Sequence, residues 1–358
     1  MISYLLNKIS YALLTLFGVI TVIFFLFNIL PGDPAQMMLG QNEDTEQLAL
    51  VKQKYGFDKP ISTQYLYYLN DLSPLSFHSN SELDYTSLDS GKYSATKLFT
   101  IGEVTTVLKF PYLRESFTKQ GKRVTQVLGE TLPNTFVLAI SAILIAMFLG
   151  VILGIVSALY KDTWLDKLIQ VVSTLGMSIP SFFSAILFAW LFGFVLHKYT
   201  NLEMTGSLYE LDDFGEAMHI KWKNLILPAI VLGIRPLAVV IQLMRNSLLE
   251  VFNQDYIRTA RAKGLSEVQI IKKHAIKNAM NPVVTAISGW FASMLAGAVF
   301  VEYIFGWNGL GKEIVNSLNT LDLPVIMGAV LVIATMFVMI NIFVDLIYAW
   351  LDPKVKLN

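Results

Sequence analysis

Six stretches of this sequence, at about 9–30, 134–159, 168–196, 225–244, 281–301 and 325–347, are apolar for long enough to cross a bilayer as helices. Crossing the hydrocarbon core takes roughly 20 helical residues, and a helix satisfies its own backbone where no water is present to do so. One such run can be the buried helix of a water-soluble protein. Six in a chain of 358 residues leave too little polar surface for that, since 54% of the residues are hydrophobic and only 15% are charged. The sequence therefore predicts an all-α polytopic membrane protein with six transmembrane helices. The first run is longer than the apolar part of a signal peptide. It leads into Leu30-Pro31-Gly32-Asp33-Pro34 rather than a small-residue cleavage site, so it reads as a retained span.

Lysine and arginine in the short loops set the expected orientation. The loop after the fourth run carries Arg245, Arg258, Arg261, Lys263, Lys272, Lys273 and Lys277 against Glu250, Asp255 and Glu267. That excess predicts a cytoplasmic loop at 250–280, and counting spans outward from it puts both termini inside. The loop after the fifth run, with Lys312 as its basic residue, and the long segment 31–130 then fall outside. The implied organisation is an N-terminal span at 1–30, an outer segment at 31–130, a five-span domain at 131–350 and an inner tail at 351–358. Within the outer segment Thr45–Tyr55 and Ile61–Leu72 have the pattern of short amphipathic helices. Residues 79–122 show no clear periodicity and are expected to form an irregular insertion.

Several chemistries are excluded. Net charge is zero, which gives no field for nucleic acid. The absence of cysteine rules out disulfides, iron–sulfur clusters and cysteine-held zinc. His78, His197, His219 and His274 are scattered, and neither a His-Glu-x-x-His run nor a Gly-x-Ser-x-Gly elbow occurs, so no enzyme, metal or cofactor is expected. Gly306-Trp307-Asn308-Gly309-Leu310-Gly311-Lys312 matches the first seven positions of a nucleotide-binding P-loop, but Glu313 stands where Ser or Thr is needed and the motif follows an apolar span. The sequence predicts instead a tight outer turn with Trp307 at the membrane interface, where tryptophan is favoured.

Charges inside the runs are few. Arg235 lies midway along the fourth, next to Pro236, and Asp345 near the inner end of the sixth. An ionisable group at membrane depth costs a few kcal/mol or more and must face a partner or water. Arg235 can line a solute path, pair with a buried acid or be hydrated in a cavity; Asp345 reads as structural. Gly150 with Gly154, and Gly289 with Ser293 and Gly297, form small-residue stripes that let helices approach closely. Pro180 and Pro228 are candidates to kink or end their helices.

The basic loop has local structure of its own. Asp255 to Leu265 is rich in helix formers and stops at Gly264, a common residue just past a helix end. Ser266, with Glu267 and Gln269, suits the start of a second helix. Two short basic helices around a glycine can dock a partner protein or lie on anionic lipid.

Asp255 to Leu265, followed by His274-Ala275-Ile276-Lys277-Asn278-Ala279, resembles the cytoplasmic loop of the dipeptide, oligopeptide and nickel permeases of the ATP-binding-cassette (ABC) importers. The likeness runs through Leu30-Pro31-Gly32-Asp33-Pro34, Tyr55-Gly56-Phe57-Asp58-Lys59-Pro60, Gln64-Tyr65-Leu66, Leu132-Pro133-Asn134-Thr135 and Ser178-Ile179-Pro180-Ser181-Phe182. It continues in Glu302-Tyr303-Ile304-Phe305, Trp307-Asn308-Gly309-Leu310-Gly311 and Leu351-Asp352-Pro353-Lys354, in order along nearly the whole chain. Two departures stand out. The broad importer signature has Glu-Ala-Ala six residues before the loop glycine, where this chain has Arg258-Thr259-Ala260 before Gly264, a variant like that of the peptide branch. About forty residues between His78 and Lys122 also stand where the family usually runs almost directly into its second span.

The resemblance implies the transmembrane fold of a type I ABC importer and a permease subunit in the inner (plasma) membrane. It would translocate di- or oligopeptides, or a related small solute, by alternating access. Implied partners are two cytoplasmic ATPase subunits, a second homologous permease subunit and an extracytoplasmic solute-binding protein, with no nucleic acid. Tyr256, Arg258, Thr259, Ala260, Arg261, Ala262, Lys263, Gly264 and Leu265 would couple the chain to the ATPase. Ala260, Ala262 and Gly264 would permit close approach, Arg258, Arg261 and Lys263 would pair with acids, and Leu265 or Tyr256 would anchor. Arg235 would lie on the translocation path and meet a peptide carboxylate. The alternatives are a secondary transporter or channel uncoupled from ATP and, within the family, a nickel or metal-chelate or peptide-like antibiotic substrate.

Overall fold

The computed structural model describes residues 2–29, 34–39, 45–81, 84–88, 92–119, 121–212 and 217–351. The expected motif at Leu30 to Asp33 and the tail from Asp352 onward lie outside the described residues, as do the side chain of Asp345 and the surroundings of Gly297. The chain runs through α1 (Ile2–Ile29), α2 (Pro34–Leu39), α3 (Thr45–Tyr55), α4 (Ile61–Leu72), β1 (Leu75–Ser79), β2 (Ala95–Ile101) and β3 (Val104–Lys109). It continues with α5 (Val124–Leu159), α6 (Trp164–Ser178), α7 (Ser181–Phe188), which passes into a π-helical stretch at Ala189–Val195, and α8 (His197–Thr200). Then come β4 (Tyr209–Leu211), β5 (Met218–Ile220), α9 (Lys223–Phe252), α10 (Asp255–Ala262) and α11 (Glu267–Ile270). A π-helical turn at Ile271–Ala275 leads into α12 (Ile276–Gly297), α13 (Val299–Phe305), α14 (Leu310–Thr320) and α15 (Leu323–Leu351).

Among the described residues five helices are long and apolar enough to span a membrane, and six if the bent pair α6/α7 is one span. The bend is 109°. It has a local cause: Pro180 lacks an N–H and pushes the residue before it out of helical geometry, and Ile179 is extended at φ −77°, ψ 130°. Pro228, the other candidate breaker, sits inside α9 without ending it. The second apolar run, expected at about 134–159, belongs to a longer helix: α5 begins at Val124 and carries Pro133 within it.

The chain divides into two compact units. One comprises Met1–Lys8, Thr131–Glu313 and Met336–Asn358. Its centre is α9, which buries Leu227, Val231, Val240, Ile241, Met244 and Leu248. The glycines of α5 let the two backbones meet: a Cβ on Gly150 would lie 2.6 Å from Val240, and one on Gly154 would lie 2.7 Å from Met244. Gly289 of the second stripe behaves differently. A Cβ there would meet nothing within 4 Å, so Gly289 mediates no close approach to a described residue, and Ser293 is exposed.

The other unit comprises Ile9–Glu130 and Ile314–Thr335. Ile23 and Phe24 of α1 pack with Tyr68 and Leu72 of α4 and Met327 of α15. Beyond α4 the expectation of an irregular insertion at 79–122 is corrected, because β2 and β3 lie within it and join β1 in an antiparallel sheet ordered β1-β3-β2. Burial alternates in β1, with the polar residues inward, whereas β3 also buries Thr106 and Val107 and β2 is exposed from Thr96 to Ile101. Leu75 and Phe77 of β1, Val104 and Leu108 of β3 and Phe99 and Ile101 of β2 are exposed, whereas Ser76, His78, Thr105 and Lys109 are buried.

Polar residues can face inward there because Asp71 gathers them. Its carboxylate accepts from Arg114 Nε at 2.8 Å, Tyr93 Oη at 2.9 Å and Tyr85 Oη at 3.1 Å. Its carbonyl accepts from Lys109 Nζ at 2.5 Å. Burial lowers the Lys109 pKa and raises those of Tyr85 and Tyr93, which keeps both tyrosines donating to Asp71.

Candidate functional site

The basic loop forms a defined element in the first unit. α10 starts at Asp255 after Gln254 in extended geometry and ends before Gly264, which has φ +77° and is the left-handed stop expected from the sequence. Ser266 opens α11 with a reciprocal cap, Gln269 accepting from the Ser266 N–H at 3.0 Å. The second helix is not separate from the fifth span, since α11, the π turn and α12 succeed one another without a break.

Helical spacing divides α10 into two faces. Ile257 and Ala260, three residues apart, are buried in a cluster with Ala158 of α5, Val240, Met244, Leu248 and Val251 of α9, Ile270 of α11 and Ala279 and Val283 of α12. Leu265 packs against the same cluster. Full burial of a residue such as Ile257 contributes about 1.5–3 kcal/mol, so this contact seats the helix firmly. Tyr256, Arg258, Thr259, Arg261, Ala262, Lys263 and Gly264 are exposed. Several of them are braced within the loop: Arg261 Nε donates to Glu267 at 2.9 Å, Tyr256 Oη accepts from Asn278 Nδ2 at 2.8 Å, and Thr259 Oγ1 donates to the Asp255 carbonyl at 2.9 Å.

The loop residues named from sequence thus separate by role. Ala260 is buried in the chain's own core, and Leu265, half-buried, packs against it. The remaining residues form one basic surface with Tyr256 as its exposed aromatic.

Arg235 lies elsewhere, in a cleft formed by the α6/α7 break, α9 and α12. Gly176, Ile179, Ser181, Ser184, Trp290 and Ser293 are among its lining residues. Arg235 is exposed and has no ion-pair or hydrogen-bond partner among the described residues.

The glycine-rich segment after α13 also differs from expectation. Trp307 is fully buried, not interfacial, and its indole N–H donates to the Asn134 carbonyl at 3.0 Å. The motif encloses Glu302, which is also fully buried. Gly311 N–H donates to Glu302 Oε2 at 2.6 Å and Lys312 N–H at 3.3 Å, while Oε1 has no hydrogen-bond partner among the described residues. A Cβ on Gly309 would collide with the Glu302 carboxylate, and one on Gly311 with the Val299 backbone. The likeness to a P-loop has a physical basis, because both present backbone N–H groups at a helix start to an anion. Here the anion is the chain's own carboxylate. Glu302 lies beyond Ala296, where the candidate span ends, and burial pushes its pKa up to about 7.

Sequence reasoning missed this enclosure, although Glu302 and Gly309 both lie in motifs that carry the family resemblance. The signal was an acidic residue seven positions before a glycine that the sequence assigns only to a tight turn.

Comparison with known proteins extends beyond these sites. The family described as "Binding-protein-dependent transport system inner membrane component" matches residues 150–357, and its N-terminal companion family matches residues 1–89. The dipeptide transport system permease protein DppB of Alkalihalophilus pseudofirmus is 32% identical over 99% of this chain and 100% of its own length. The probable D,D-dipeptide transport system permease protein DdpB of Escherichia coli is 30% identical, covering 94% of this chain and 93% of that protein. The glutathione transport system permease protein GsiC of Salmonella typhimurium is 29% identical over 99% of both chains. Among solved structures, an inward-facing form of the MetNI methionine ABC transporter aligns with a TM-score of 0.51 at 16% identity, covering 64% of this chain and 98% of that one. The last likeness concerns the fold alone.

Proposed function

The chain belongs to the family of inner-membrane components of binding-protein-dependent transport systems, and from that premise we propose that it moves di- or oligopeptides inward, driven by ATP hydrolysed on other subunits. It is a multi-pass permease subunit of an ABC importer, a transport component and not an enzyme. Peptide substrates are supported by the names of its relatives, two of which are dipeptide permeases and one a glutathione permease.

The observation that carries the coupling reading is the two-sided α10. Its inner face is seated on α5, α9 and α12, and its outer face is bare and basic. An element attached in this way transmits a push to the helices beneath it. Two cytoplasmic ATPase subunits would receive the surface of Tyr256, Arg258, Thr259, Arg261, Ala262, Lys263 and Gly264, while Ala260 and Leu265 hold it to the spans. ATP-driven closure of those subunits would then shift the spans between outward- and inward-facing states, which requires the partners to bind the two states with different affinity. A second homologous permease subunit completes the path, and an extracytoplasmic binding protein delivers the solute. This reading puts the loop at 250–280 and both termini in the cytoplasm, and divides the chain into a first span, the outer segment 31–130 and the five-span transport domain 131–350.

The test combines a reversed charge with added bulk on the bare face. Arg258→Glu with Ala262→Arg, in the reconstituted transporter, should reduce ATP-driven uptake at least tenfold and release the ATPase subunits during purification, while the chain stays membrane-inserted. Unchanged uptake by that double variant would refute coupling through α10.

A further inference from the structure

We propose that the Arg235 cleft is a carboxylate-recognition station on the solute path, an inference that rests on the peptide reading above and specifies which group of the solute it meets. Arg235 lies about 18 Å from the start of the 30-residue helix α9, far from either end. A guanidinium at such depth needs an acid or water. No acid lines the cleft among the described residues, and three buried or half-buried acids of the same unit are committed elsewhere: Asp166 to Arg245, Glu302 to its glycine enclosure, and Glu210 to Lys221 and Asn224. The charge is therefore presented to the open cleft.

The rest of the cleft complements an anion. Ser184 is only 6% exposed, yet its hydroxyl has no hydrogen-bond partner among the described residues and the side chain lines the cleft. Ser181 and Ser293 line it too. At the break, α7 begins after Pro180 with no side-chain cap, so the positive end of that helix opens beside the same residues. Discontinuous spans use such ends to hold anionic groups of a solute at mid-membrane.

Trp290 and Met294 add an apolar wall. A planar carboxylate matches the guanidinium fork and accepts from the serine hydroxyls, and the wall accommodates the adjoining side chain. A peptide with a free C-terminus has both groups next to each other.

The assembled transporter, in proteoliposomes and saturated with loaded binding protein, should take up dialanine faster than dialanine amide. Saturation removes the binding protein's own affinity from the ratio. Arg235→Gln should shrink the acid-to-amide ratio of maximal rates about tenfold, Arg235→Lys should retain most of it, and Ser184→Ala should reduce it severalfold. A ratio independent of residue 235 overturns the site, and because it is a ratio, poor assembly of one variant does not imitate that result. The chain contains no cysteine, so Arg235→Cys introduces a single thiol. A membrane-impermeant thiol reagent should label it from water, and failure to label also overturns the proposal. If the unsubstituted transporter takes up neither dipeptide form while labelling persists, the peptide reading fails and the aqueous, charged cleft stands.

Discussion

Two arginines on α9, ten residues and about 15 Å apart, face opposite circumstances. Arg245 donates to Asp166 through Nε at 2.8 Å and Nη2 at 2.6 Å, and Asp166 accepts further bonds from Ser157 Oγ at 2.5 Å and the Asp162 N–H at 3.0 Å. That carboxylate has every oxygen occupied, and the pair holds α6 against α9 near the end that leads to α10. Arg235 has neither acid nor hydroxyl partner among the described residues and stands in a cleft. The same side chain is thus a clamp where the chain supplies an acid and a presented charge where it does not. An unpaired cation is tolerable only where water or solute reaches it, so the contrast separates the part of α9 that is braced from the part available to solute.

The largest expected effect comes from breaking the clamp. Asp166→Ala should leave Arg245 part-buried without its acid and lower stability by about 3–5 kcal/mol, read as a fall in unfolding midpoint in detergent. Arg245→Ala should have a similar cost, and the double variant should lose much less than the sum. Additive losses would show that the two do not act as a pair.

Glu302 is intermediate, being an enclosed carboxylate with one oxygen unmatched. Its pKa is raised from 4.5 to about 7 by burial, so the folded chain binds the proton more tightly than the unfolded one. This contribution to stability is complete below about pH 4.5 and is lost as pH rises through about 7, on the order of 3 kcal/mol in all. Glu302→Gln should flatten stability against pH across that window. A slope unaltered by the substitution would assign the dependence to other groups.

The smallest stability effect is expected at Arg235. Arg235→Gln should shift the unfolding free energy by no more than about 0.5 kcal/mol, because no protein partner is lost. A loss comparable to that of Arg245→Ala would reveal a concealed acid and erase the contrast between the two sites.

Much of this architecture is legible locally. Proline at 180 breaks a span, glycine at 264 stops α10, and Ser266 with Gln269 caps α11; each acts through neighbours within a few residues. The sheet was not legible, because its inward face is polar. Lys109 is held by the Asp71 carbonyl and His78 lies edge-on to Tyr93, while Ser76 bonds to His78 and Thr105 to Asn80, a grouping that no alternation rule reveals. Trp307 reads as interfacial by type but is buried because Asn134, 173 residues earlier, supplies its acceptor. Ala260 reads as a partner contact by size, but helical spacing from Ile257 sets it against the core.

The apolar runs and the places where their helices break belong to the amino-acid order alone, because a bilayer admits few backbone forms and proline and glycine act on their own dihedrals. Which charges are spent is a matter of tertiary packing. Arg245 meets an acid 79 residues away while Arg235 on the same helix meets none among the described residues, and that difference arises from how helices converge, not from either residue's neighbours in the chain.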